Sequence, residues 1–209
     1  MKFSKQVKNT AYFYLLSIAL VMSVVAKHTS KAYAGTFEEN VHYVTLDKEA
    51  TSEPQVKIFY TPFCRPCAIV HTPIRTMAER AGITFVDVPV DFGPLGKDIQ
   101  ASIATANHQN IGDNYVSELI SSIHLSPSSA PRSREDLAQL IERCGGDATD
   151  FRNGCEDVRE DIENFDQLTK QYYINATPTI VVNGNKRINL GSLKSLPELE
   201  LLLIELSGV

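Results

Sequence analysis

The apolar positions change their period several times along the chain, and each change marks an element. Val56-Lys57-Ile58-Phe59-Tyr60 is a short run of β-branched and aromatic residues, the composition of a strand. After it, Ile69, Ile74 and Met77 fall among the apolar positions of a helix that Gly82 stops, with Pro73 expected to kink it. Ile83 to Val90 is a second β-branched run, ended by the turn Phe92-Gly93-Pro94. Strand, helix, strand predicts a βαβ unit of a parallel sheet.

From about residue 96 to about 170 the period is helical throughout. Ile99 and Ile103 are four apart, as are Tyr115, Leu119 and Ile123, and Val158, Ile162, Phe165 and Leu168 continue the spacing. The stretch 126–133, SPSSAPRS, is a loop by composition. Ser133 is placed to cap the following helix with Asp136 at its third position, and Gly145-Gly146 ends that helix. Strands return with Thr179 to Val182 and Asn185 to Ile188 around Asn183-Gly184, a hairpin signal, and a last helix runs from near Pro197 to Leu206. The pattern predicts an α/β protein, a βαβ unit and a ββα unit separated by an all-helical block, with boundaries at 35–95, 96–170 and 171–209.

The first 34 residues stand apart. Lys2, Lys5 and Lys8 precede an uncharged apolar run from Ala11 to Ala26, and Ala32-Tyr33-Ala34 offers a small-x-small cleavage site. Together these read as a secretory signal peptide cut after Ala34, the alternative being an uncleaved anchor. Removing its five lysines leaves 15 Lys and Arg against 25 Asp and Glu, a net charge of −10. Such a surface repels phosphate backbones, so no nucleic-acid partner is expected. Export also places the four cysteines, Cys64, Cys67, Cys144 and Cys155, where disulfides persist.

Cys64-Arg65-Pro66-Cys67 sits where the first strand ends and the helix begins. Free N–H groups and the positive end of the helix dipole there stabilise a thiolate, and Arg65 adds a full charge. Cys64 is therefore the candidate nucleophile of a disulfide exchange, and Cys67, one turn later and more shielded, the resolving thiol. Two other readings compete. A zinc site on Cys64, Cys67 and His71 lacks a fourth ligand, so no metal is expected and His71 reads as solvent-facing. An inert disulfide across two residues would restrict almost no chain entropy. Cys144 and Cys155, at the join of two predicted helices, read as a structural disulfide worth roughly 2 to 3 kcal/mol. Asn175-Ala176-Thr177 matches a glycosylation acceptor but lies on the turn expected to face the cysteines.

The strand entering Cys64-Arg65-Pro66-Cys67, the pair Thr177-Pro178 before the Asn183-Gly184 hairpin, the FGPLGKD stretch from Phe92 to Asp98 and the helical block between them resemble the thioredoxin superfamily. More closely, they resemble DsbA-type periplasmic thiol:disulfide oxidoreductases, over roughly residues 37 to 206. The resemblance implies a thioredoxin fold with a helical insertion, a cis Pro178 facing the dithiol, and Thr177 offering its backbone to an extended substrate segment. It implies no cofactor, reduced exported proteins as substrates, and reoxidation by a membrane quinone-linked partner of the DsbB type; a monomer is the default for one compact domain. Three departures stand out. Arg65-Pro66 replaces the usual Pro-His, and Ile58 stands where relatives often have an acidic residue. Thr177 replaces the Val of DsbA and is more typical of reducing or isomerising relatives.

Overall fold

Six residues, Gln55–Tyr60, form the central strand of the sheet, and their side chains are almost all buried. A strand covered on both faces reads as a continuous apolar run rather than an alternation, which is how 56–60 reads apart from Lys57. The computed structural model describes residues 37–209 except Pro94, so the expected signal peptide and its cleavage point after Ala34 lie outside the described residues. Residues 39–209 form one compact unit.

In chain order the unit contains β1 (Tyr43–Thr45), β2 (Gln55–Tyr60), α1 (Arg65–Ala81), β3 (Thr84–Pro89), α2 (Gly96–His108), α3 (Gly112–His124), α4 (Arg134–Arg143), α5 (Thr149–Asn153), α6 (Arg159–Gln171), β4 (Thr179–Val182), β5 (Lys186–Ile188) and α7 (Leu196–Ser207). The five strands pair in the order β1-β5-β4-β2-β3. β2 and β3 are parallel, with Val56 opposite Phe85 and Ile58 opposite Asp87. β4 runs antiparallel to β2, and β5 to β4. The architecture is a thioredoxin fold with a helical insertion.

Local chemistry accounts for most boundaries. Gly82 ends α1 in the left-handed region at φ 70°, where glycine carries no Cβ penalty. α1 runs through Pro73 as a continuous helix. Asn183 and Gly184, at φ 46° and 73°, are the central residues of the turn between β4 and β5, which the Asn185 N–H closes on the Val182 carbonyl at 3.2 Å; positive φ at both positions matches the twist of the flanking strands. Ser133 caps α4 by accepting from the Asp136 N–H, but Asp136 reaches back to the Arg132 N–H, one residue earlier than expected.

Two sequence expectations need correction here. β1 was not anticipated: three residues at a sheet edge, half-buried or exposed, leave no periodic signal. Cys144 and Cys155 form no disulfide; both are free thiols. Cys144 follows the last residue of α4, whereas the Cys155 sulfur lies 3.0 Å from the guanidinium of Arg134, the first residue of that helix. The Cys155 sulfur meets Arg134 and the Phe151 carbonyl rather than Cys144.

Candidate active site

Cys64 is the N-cap residue of α1. Its sulfur accepts the Cys67 backbone N–H at 3.4 Å, one of the donors that a helix start leaves without an intrahelical partner. The same sulfur, as a thiol, donates to the carbonyl of Thr177 at 3.3 Å, across 113 residues of sequence. The Thr177-Pro178 peptide is cis. Thus the helix start and the loop before β4, far apart in the chain, meet at one half-buried sulfur.

Cys67 lies one turn further along and is 0% exposed. Burial pushes its thiol up to about 12, and the neighbouring Cys64 thiol acts in the same direction. The Thr61 main chain and the Thr177 side chain hydrogen-bond the sulfur and pull the other way. The two thiols therefore have opposite situations: Cys64 reaches the surface, while Cys67 keeps its proton in an apolar setting. Arg65 and Pro66, between them, are exposed, and Arg65 enters no ion pair among the described residues.

Beside the dithiol runs an open, mostly apolar groove of about 470 Å³, bounded by Pro66, Ile69, Pro178, Leu190, Leu193 and Leu196. Ile69, one of the apolar positions of α1, is 59% exposed and forms a wall of this groove. Phe63, on the other side of Cys64 in sequence, is also exposed.

His71, read from sequence as solvent-facing, is 2% exposed. It lies four residues after Cys67, on the same helical face as Cys67, Ile74 and Ala78, all buried. Its Nε2 is 2.9 Å from the Asp87 carboxylate, which also accepts from the Tyr60 hydroxyl at 3.1 Å and from Arg75 at 3.4 Å. Arg75 continues to Asp113 on α3. The imidazole packs on the Tyr60 ring with centroids 4.4 Å apart. A zinc ligand set that includes His71 would have to compete with this carboxylate for Nε2. Asp87 escaped the sequence reading because a lone acidic residue in a strand carries no motif. It stands opposite Ile58 in the β2–β3 register, so a half-buried carboxyl lies one strand away from the position where relatives often have an acidic residue.

No known protein-family profile matches the chain. Among curated proteins, the thiol:disulfide interchange protein DsbA of Pectobacterium carotovorum subsp. carotovorum is 25% identical over 185 residues, covering 85% of this chain and 84% of that protein. The protein of the same name from Escherichia coli (strain K12) is 23% identical over 167 residues, covering 76% and 79%. Among solved structures, DsbA disulfide interchange protein from Klebsiella pneumoniae superimposes with a TM-score of 0.73 at 16% identity, covering 84% of this chain and 100% of that one. A Proteus mirabilis DsbA variant in complex with the non-covalently bound peptide PWATCDS gives 0.72 at 20% identity, covering 84% and 100%. By sequence relationship and by fold the chain is DsbA-like.

Proposed function

We propose that this DsbA-like chain is a thiol:disulfide oxidoreductase that introduces disulfide bonds into exported proteins by exchange through Cys64 and Cys67. The observation that carries the reading is the Cys64 sulfur at a helix N-cap, contacted by the Cys67 N–H and the Thr177 carbonyl. Such a half-buried sulfur is within reach of a partner, takes an N–H donor from the helix start, and as a thiol donates to the loop carbonyl. In the oxidised pair, a client thiolate attacks Cys64 and forms a mixed disulfide. Cys67 leaves with the electron pair of the broken S–S bond and takes up a proton. A second client thiolate then attacks the client sulfur and releases Cys64, so the client is oxidised and the pair reduced by two electrons.

An extended client segment lies in the apolar groove against Thr177 and Pro178 by main-chain pairing, and a peptide as ligand class is supported by the relative solved with one bound. The basic start, apolar run and Ala32-Tyr33-Ala34 support periplasmic action after cleavage following Ala34. Reoxidation falls to a membrane quinone-linked oxidase of the DsbB type, and the protein acts as a monomer. In domain terms 96–170 is an insertion into a thioredoxin domain made of 35–95 and 171–209.

Thr177 favours a second reading, a reductase or isomerase. The equilibrium of the Cys64–Cys67 pair against glutathione separates the two. An oxidase gives a potential towards the DsbA end of the superfamily, about −120 mV; a value near the thioredoxin end, about −270 mV, overturns the oxidase reading.

A further inference from the structure

The turn that delivers Cys64 is Thr61-Pro62-Phe63, and its backbone has few handles. Pro62 has no N–H to donate, so its carbonyl is its single backbone hydrogen-bonding group. Pro62 is buried, and a buried carbonyl needs a partner. The partner comes from 62 residues away: Nε2 of His124 lies 2.8 Å from the Pro62 oxygen. A carbonyl oxygen only accepts, so Nε2 carries the proton and donates. His124 is the last residue of α3, in the helical block, and takes no part in the exchange chemistry itself. On the N-terminal side of Pro62 the turn holds the backbone of Cys64. The Thr61 carbonyl accepts the Cys64 N–H at 3.0 Å.

We propose that His124 is a positioning residue for the dithiol, holding the Thr61–Phe63 turn through Pro62 so that the Thr61 carbonyl keeps its hold on the Cys64 N–H and the Cys64 sulfur stays placed for attack by Cys67. The step it serves is resolution of a mixed disulfide. Cys67, losing its proton to solvent, attacks the Cys64 sulfur of Cys64–S–S–R; the Cys64–Cys67 bond forms, the bond to R breaks, and R–S⁻ leaves with the electron pair and is protonated. The attack needs the Cys64 sulfur held in place opposite Cys67, which is what the anchored turn supplies. The inference rests on the exchange reading of Cys64 and Cys67.

The test follows reduced full-length protein reacting with oxidised glutathione, trapping the Cys64–glutathione mixed disulfide by acid quench and measuring its decay. One neutral hydrogen bond is worth about 1 kcal/mol, so His124→Ala is expected to slow resolution about fivefold. His124→Gln, which keeps an N–H donor at a similar reach, is expected to restore most of the rate. Thermal unfolding of each variant is recorded alongside. A variant His124→Ala that melts earlier but resolves at the wild-type rate reduces His124 to a structural contact and overturns the proposal. Equal slowing in His124→Gln and His124→Ala overturns it as well, because the donor would then be irrelevant. If the wild-type dithiol forms no mixed disulfide with glutathione, the exchange reading itself has failed, and this proposal with it.

Discussion

Two backbone groups from distant parts of the chain converge on the Cys64 sulfur, the Cys67 N–H from within its own helix and the Thr177 carbonyl from the loop before β4. That geometry divides labour between the two cysteines. Cys64→Ser removes the accessible sulfur and is expected to abolish mixed-disulfide formation with glutathione. Cys67→Ser leaves Cys64 able to react but unable to be released, so the mixed disulfide should accumulate to near stoichiometry, detected as an added glutathione mass on the intact protein. A reverse pattern, with Cys67→Ser turning over normally, would remove Cys67 from the resolving role. At this scale the sequence was informative about types and spacing: a C-x-x-C at a strand-to-helix junction names its own chemistry. It was misleading about His71, since spacing of four from Cys67 equally fits an exposed turn, and only Asp87, Tyr60 and Phe85 around it show the burial.

At the scale of elements, the helical block begins with a close approach. A Cβ at Gly96, the first residue of α2, would lie 2.8 Å from the Asp91 carbonyl carbon and 2.9 Å from its Cα. Backbone cannot swing aside as a side-chain tip can. Gly96→Ala is therefore expected to destabilise by about 1 to 3 kcal/mol, read as a lower urea midpoint with an unchanged slope. The ion pairs that join α4 to α5 are a contrasting case. Arg152 bridges Glu135 and Glu142 at the surface, and exposed pairs of this kind contribute less than about 1 kcal/mol, so Arg152→Ala should leave the midpoint almost unchanged. The helical period of Ile99, Ile103, Tyr115 and Leu119 announced the buried faces of α2 and α3, and all four residues are fully or almost fully buried. The three-residue β1 announced nothing, because an edge strand of that length has no period to read.

For the molecule as a whole, the reduced protein should lose stability as the solution becomes alkaline. Burial holds the Cys67 thiol up to about 12 from an ordinary value near 9. Between those values the unfolded chain releases a proton that the folded chain keeps. The unfolded state then binds fewer protons, and stability falls as pH rises through that window. Burial and the Asp87 carboxylate raise Tyr60 well above its usual value and act in the same sense. Urea unfolding of the dithiol form at pH 8 and pH 11 checks this. The drop should be smaller in Cys67→Ala, which lacks the thiol; an identical drop would exclude Cys67 as a contributor.

The sequence by itself determined what short-range physics can write: a strand running into a reactive C-x-x-C, a helix ended by Gly82, the Asn183-Gly184 turn and the helical block. Periodicity, caps and turn residues act over a few positions, so they are legible in one dimension. The meeting of Cys64 with Thr177, of His71 with Asp87 and of His124 with Pro62 was decided only by the tertiary structure. Each joins residues on different elements through a single polar contact, and such contacts leave no repeat, spacing or composition in the chain. The separation of Cys144 from Cys155 belongs with them. Eleven residues apart is close enough for a disulfide in an open loop, but in the fold the Cys155 sulfur meets Arg134 and the Phe151 carbonyl instead of Cys144.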